Sequence, residues 1–415
     1  MRLLFCSVCL VSASVAQVAP GEAIQSFFAN VAPIEGLTIV NRVGTSVPVT
    51  GLTAQSIQNI NSVALDPINN SIWIGSITTV PTTHGLRRAT LTGTALGAAP
   101  LVATLPTAPA GSFSGISFDQ NGNPIVTSGT VPPGTGGVFR VNRATGAVTN
   151  LLAPHPALTT GTANCVDVNL ATGDIYFSVT SAGGAIYRLP GPFPNSAAPV
   201  LVGTTTTNAT ISGVAFWPAH GVNPARVYWN NFATANNCVG YVPAAGGAAV
   251  VTPGAPTAFA GGNNWITYDR RQDDFWTCSA GVDPDRIFTM TDTGANTLVA
   301  TFNGGGVAGT PSAVDANDAP PGSLRVIPRY LPAAPALTTI EASLSWTPGD
   351  IGIFGIVVGG SLITFGLGFF DGSGTLSTSF SATLGAGSPN QYTFFGASLG
   401  GAGLQITGPL PWPAN

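Results

Sequence analysis

Asn61-Ser-Val-Ala-Leu-Asp66 decides the fold, because the same pattern returns five more times along the chain. It recurs as Ser114-Gly-Ile-Ser-Phe-Asp119, Asn164-Cys-Val-Asp-Val-Asn169 and Ser212-Gly-Val-Ala-Phe-Trp217. The last two copies are Asn264-Trp-Ile-Thr-Tyr-Asp269 and Ser312-Ala-Val-Asp-Ala-Asn317. Successive copies end 53, 50, 48, 52 and 48 residues apart. Each is a short apolar strand, closed in most cases by a turn-forming Asp or Asn. Most are followed by a second strand: Ser71-Ile-Trp-Ile-Gly75, Asp174-Ile-Tyr-Phe-Ser178, Arg226-Val-Tyr-Trp-Asn230, Asp274-Phe-Trp-Thr-Cys278. A period of about 40 to 50 residues with several strands in each predicts an all-β chain and a β-propeller.

Six inner strands predict six blades over residues 36–330. The sixth copy has an inner strand and a second strand at Ser323–Ile327, but no outer pair. Residues 36–49 resemble the outer half of the first repeat, Gly85 onward, so the closing blade is expected to be shared: two strands from each end of the propeller. Sharing removes two free sheet edges.

Composition narrows the function. Charged residues are 7% of the chain, against roughly 25% in an ordinary soluble domain. Lysine is absent, and all 13 basic residues are arginine. The net charge of −4 rests on few groups, and no basic stripe marks a nucleic-acid partner.

At the N-terminus Arg2, the apolar run Leu3–Val11 and the small residues Ser14-Val-Ala16 read as an export signal over 1–16. The expected location is secreted, periplasmic or cell-surface, with 17–35 as a lead-in. Cleavage leaves Cys165, Cys238 and Cys278, which allow one bridge at most. A blade's second strand ends on the face where its third begins. Cys238 and Cys278 therefore form the expected disulfide, and Cys165 starts an inner strand nearer the axis.

After a Pro-rich linker at 331–335, residues 336–415 carry only Glu341, Asp350 and Asp371 as charges. Ile351–Phe370 is an uncharged stretch long enough to span a bilayer. Its six glycines and the absence of a flanking basic residue favour buried strands. The expectation is a small C-terminal β-sandwich-like domain with no membrane span.

The phrase apolar-Ala-apolar-Asp followed by apolar-aromatic-apolar resembles the blade consensus of NHL-repeat and gluconolactonase-like propellers, over roughly residues 60–320. The resemblance implies six blades and a site at the channel mouth. The residues before each inner strand converge there: Asn61, Ser114, Asn164, Ser212, Asn264 and Ser312. Gluconolactonase-like enzymes hold a divalent metal at this mouth with a Glu, two Asn and an Asp. Here the matching positions supply Asn and Ser without a carboxylate, and Asp167 and Asp315 lie three residues deeper. Neutral ligands alone hold a hard cation weakly.

Other candidates are thin. His84, His155 and His220 occupy loops without a nucleophile signature. Asp119-Gln-Asn-Gly-Asn123 superficially resembles a calcium loop, lacks its twelfth-position Glu, and falls where a hairpin turn belongs. Trp73, Trp229 and Trp276, with Tyr176, recur on second strands and read as packing between blades. The expected function is a binding or surface-structural module, with no cofactor, for a carbohydrate, a small molecule or another surface protein. The alternative is a lactonase-like hydrolase using a divalent cation such as calcium.

Overall fold

The computed structural model describes residues 10–11, 18–28, 36–52, 57, 60–69, 71–76, 85–105, 112–129, 137–152, 163–179, 184–191, 198–205, 211–231, 239–252, 263–279, 285–302, 310–319, 321–327, 336–358, 361–384, 392–407 and 409–411. Two compact units are present. The larger comprises Gly21–Leu65 and Ser71–Ala316.

The larger unit holds six four-stranded antiparallel sheets. From the inside outward, blade 1 is Ile60–Leu65, Ile72–Ser76, Gly85–Ala89 and Leu101–Ala103. Blade 2 runs from Ser112–Phe118 through Pro124–Gly129 and Gly137–Val141 to Val148–Asn150. Blade 3 is Ala163–Val168, Ile175–Val179, Ala185–Leu189 and Val200–Thr204. Blade 4 contains Ile211–Trp217, Arg226–Asn231, Val239–Pro243 and Val250–Val251. Blade 5 contains Asn263–Asp269, Asp274–Ser279, Asp285–Met290 and Asn296–Phe302. The inner strands touch in sequence order, and that of blade 6, Thr310–Ala316, returns to that of blade 1. The ring is closed.

Blade 6 departs from the sequence expectation. Its second strand is Ala23–Phe28, followed outward by Gly36–Val40 and Ser46–Pro48. The N-terminal side therefore supplies three strands and the C-terminal side one. Ser323–Ile327 pairs instead with Ala336–Ser345, in the other unit. The six-residue strand Ala23–Phe28 registers Ala23 against Ala316 and Phe28 against Thr310 on one side, and Ala23 against Val40 on the other. A strand with neighbours on both sides satisfies every ladder group, which no end strand can do.

Neighbouring blades pack face to face. One core cluster joins Trp73 and Leu86 of blade 1 to Phe113, Phe118 and Phe139 of blade 2. Another joins Trp217 and Tyr228 of blade 4 to Tyr268, Phe275 and Phe288 of blade 5. Register identifies the equivalent second-strand residue by its partner on the inner strand: Trp73 opposes Ala64, Tyr176 opposes Asp167, Tyr228 opposes Ala215 and Trp276 opposes Thr267. Trp229 opposes Val214 and is one residue out of step, so Tyr228 is the true equivalent. Trp73, Tyr176, Trp229 and Trp276 are all buried, as packing between blades requires. Trp73 meets Phe118 of the next blade edge-on, and Tyr176 stacks on Phe216 of the next.

The hairpin turns follow their sequence signals. Asp119 accepts the backbone N–H groups of Asn121 and Asn123, and Gly122 takes φ +70°. The calcium-like run is thus a turn whose carboxylate is already engaged.

The smaller unit comprises Met1–Pro20, Asp66–Asn70 and Asn317–Asn415. One sheet is Ser323–Ile327, Ala336–Ser345 and Thr375–Leu384. The other has the order Leu10–Val11, Ser361–Phe369, Ile351–Val358, Tyr392–Gly400, Gly403–Ile406, with Leu410–Pro411 also on Tyr392–Gly400. The two share a core of Val326, Leu344, Trp346, Phe354, Ile356 and Phe394. The uncharged stretch therefore holds two strands, Ile351–Val358 and Ser361–Phe369. No helix among the described residues is long and apolar enough to cross a membrane.

Candidate functional site

Every inner strand carries a register shift at its N-terminal end: between Ile60 and Ser62, Phe113 and Gly115, Ala163 and Val166, Ile211 and Gly213, Asn263 and Trp265, and opposite Ser26–Phe27 in blade 6. Each irregularity coincides with one of the Asn or Ser positions singled out in the sequence. A bulge leaves one residue unpaired and re-aims its side chain.

The re-aimed groups point at the next blade. Asn61 Nδ2 donates to Phe113 O at 3.2 Å, and Ser62 Oγ donates to the same carbonyl at 3.2 Å. Asn164 Nδ2 reaches Ile211 O at 2.8 Å, and Ser312 Oγ reaches Ile60 O at 2.8 Å. Ser212 Oγ donates to Asn230 Oδ1, whose amide turns to Thr277 of blade 5. Ser114 is buried. Asn264 lies on its expected inner strand, and its side chain falls outside the described residues.

Asp167 and Asp315 do the same work in the opposite sense. Asp167 Oδ2 accepts Phe216 N–H at 2.7 Å from blade 4, while Oδ1 accepts Ser117 Oγ from blade 2 and its neighbour Val168 N–H. Asp315 Oδ2 accepts Leu65 N–H at 2.7 Å from blade 1, and Oδ1 accepts Thr267 Oγ1 from blade 5. With Thr127 Oγ1 donating to Asn164 O, all six blade junctions carry a polar bond. The pattern repeats after three blades: Ala64, Ser117, Asp167, then Ala215, Thr267, Asp315.

These groups do not fit a divalent cation. Both oxygens of Asp167 are engaged, and burial pushes its carboxyl above the ordinary carboxylate range, which disfavours the charged form a metal needs. Among the described residues no group of three His, Cys, Asp or Glu converges. Cys165 is buried against Ser178 Oγ, and desolvation pushes its thiol up to about 12, so it is no nucleophile at neutral pH. Cys278 is fully buried. Cys238 lies outside the described residues, and the expected bridge lies there with it, as do His84 and His155.

A second polar cluster, missed in the sequence, joins blades 4 and 5 at their hairpin ends. Asp273, with φ +55°, accepts Trp217 Nε1 at 3.0 Å and Tyr268 OH at 2.8 Å. His220 Nδ1 stands 3.5 Å from the same oxygen, and both side chains are about half exposed. Arg226 lies 4.3 Å over Tyr241 and donates to Tyr228 OH, which donates to Asp292 O. Burial pushes Tyr228 up to about 12. The signal in the sequence was the pair Asp273-Asp274, where the first Asp tolerates positive φ in a tight turn.

Arginine serves this chain as a lid on aromatic faces. Arg88 lies 5.4 Å over Trp73 and donates to Ser71 Oγ. Arg42, in the outer hairpin of blade 6, lies 5.0 Å over Trp276 of blade 5 and bonds Asp269 and Asp274, each at 2.6 Å. A planar guanidinium stacks and bonds two carboxylates at once, which an ammonium cannot.

No family model matches this sequence, and no curated protein matches it. Solved structures do. The chain is similar to one in the crystal structure of a nidogen/laminin complex, with 11% identity, TM-score 0.51, and 71% of this chain and 98% of that one covered. It is also similar to a gluconolactonase from Xanthomonas campestris at 12% identity and TM-score 0.42, covering 72% and 90% of the two chains. A putative 6-phosphogluconolactonase from Bacteroides uniformis gives 15%, 0.46, 86% and 99%. At such identities only architecture is shared. With six closed four-stranded blades in hand, the chain is a six-bladed β-propeller, similar in fold to the chain of the nidogen/laminin complex.

Proposed function

We propose that the protein is an exported binding or surface-structural module rather than a hydrolase. The observation that supports this reading is the fate of the channel's polar groups. Where a propeller hydrolase keeps metal ligands and an acid/base, this chain ties Asn61, Asn164 and Ser312 to backbone carbonyls of the next blade, and Asp167 and Asp315 to backbone N–H groups. Such groups stiffen a ring and have little bonding capacity left for a substrate. The ligand in this reading is a carbohydrate, a small molecule or another surface protein. Export is inferred from the signal-like residues 1–16. The test is metal analysis of the purified protein with an assay of gluconolactone hydrolysis. The reading expects substoichiometric calcium and zinc and no turnover above the buffer rate. Stoichiometric metal whose chelation abolishes lactone hydrolysis would establish the hydrolase instead.

A further inference from the structure

The six-stranded sheet of the smaller unit is largely apolar on both faces. Its inner face, Phe354, Ile356 and Phe394, belongs to the core. Register sorts the outer face without ambiguity. One row reads Phe369, Ile351, Leu399, Leu404, and the next reads Leu367, Ile353, Ala397, Ile406. Toward the other end follow the row Thr364, Gly355, Phe395 and then Leu362, Val357, Thr393. No charged residue stands on this face. Leu404 and Ile406 are 63% and 64% exposed, Phe369 53% and Leu399 48%. Strands that are apolar on both sides are the mark of a sheet buried on both sides. A sandwich with a solvated outer face alternates apolar with polar, and this one does not.

Three full strands of about eight residues and the four-residue strand Gly403–Ile406, at about 4.8 Å spacing, make a face of roughly 450 Å². Two such faces together remove about 900 Å², the size of a weak, reversible interface. The area of one face is in the range of the largest apolar patch of a typical monomer, which is often functional. Its surroundings choose the occupant. From residue 336 onward the chain has no basic residue and only Glu341, Asp350 and Asp371 as charges. A lipid surface is met by basic residues at the rim of an apolar face, and these are missing. A flat, uncharged, aliphatic face is complementary to itself.

We propose that a second copy of this chain covers the face, sheet against sheet, in a two-fold dimer built by the smaller unit. A two-fold pairing presents the same patch from both subunits and closes, leaving no apolar face open for further growth.

The experiment is light scattering and sedimentation velocity on the full chain, from about 1 to about 100 µM. The expected result is a concentration-dependent dimer. Leu404→Glu is expected to weaken it by at least roughly 100-fold with an unchanged thermal melt, since the side chain is exposed in the subunit. Ile406→Ser, a milder change on the same row, is expected to weaken it less. Leu201→Glu, on the outer strand of blade 3 and 51% exposed, is expected to leave it intact. A monomer at every concentration would overturn the proposal, as would a dimer indifferent to Leu404→Glu and Ile406→Ser. Flotation of the wild type, but not of Leu404→Glu, with phosphatidylcholine vesicles would assign the face to lipid and also overturn it.

Discussion

Gly213 shows how little room separates two blades. A Cβ there would stand 2.6 Å from the backbone nitrogen of Ile266 and 2.7 Å from Asn230 Oδ1. Backbone cannot step aside as a flexible side-chain tip does, so Gly213→Ala forces blades 4 and 5 apart. The expected loss is about 2 kcal/mol by denaturant titration. Gly401→Ala, where nothing lies within 4 Å, should change the midpoint negligibly; equal effects at both sites would refute the close-approach argument. Gly115 sits at the matching place in blade 2, 3.0 Å from Cys165 Cα by the same measure. The Ser-Gly pairs Ser114-Gly115 and Ser212-Gly213 thus combine two local needs: a hydroxyl at the bulge, and no Cβ beside it. The identity of these positions was legible in the sequence, because they repeat. Their use was not. A bond from Asn164 to Ile211 O depends on the neighbouring blade's backbone, and no local pattern encodes it.

The closing blade shows where element-level reading fails and why. Inner strands announced themselves by recurrence, and the outer strands of blade 6 by likeness to those of blade 1. The second strand, Ala23-Ile-Gln-Ser-Phe-Phe28, places Gln25 where blades 1 to 4 place Ile74, Val126, Phe177 and Trp229. Gln25 and Ser26 are both buried: Ser26 Oγ meets Ser312 Oγ at 2.9 Å and Gln25 turns back to Ser26 O. A polar dipeptide buried by its partner strand looks like a loop until that partner is known. Trp229 misled for a different reason. Tyr228-Trp229 are both fully buried, so residue type alone cannot say which of the two faces the next blade. The strand's role predicts that a chain beginning at residue 30 loses cooperative thermal unfolding and binds a hydrophobic dye, while one beginning at residue 18 keeps a single sharp transition. Equal cooperativity in both would mean that blade 6 does not need the strand.

At the scale of the whole molecule, a chain with few charges buries several of them. Asp119, Asp167, Asp274 and Asp371 are each pushed above the ordinary carboxylate range, burial being the largest cause in every case. Between the ordinary value of about 3.9 and those raised values, the native state holds more protons than the unfolded chain. Stability then falls as pH rises through that window and grows as pH falls into it. The thermal midpoint is expected to rise on moving from neutral pH to about pH 4.5; a steady decline over that range would show that other groups dominate. The clasp of blade 6 also has a mechanical reading. Ala23 lies opposite Ala316, and Phe28 opposite Thr310, so the entry and exit of the ring sit at the same end of one antiparallel pair. Tension applied between residues 21 and 317 loads the hydrogen bonds one rung at a time, starting at Ala23 and Ala316, instead of all six residues in parallel. A ring that resists heat through six cooperating seams would still unzip under a modest pull at its ends.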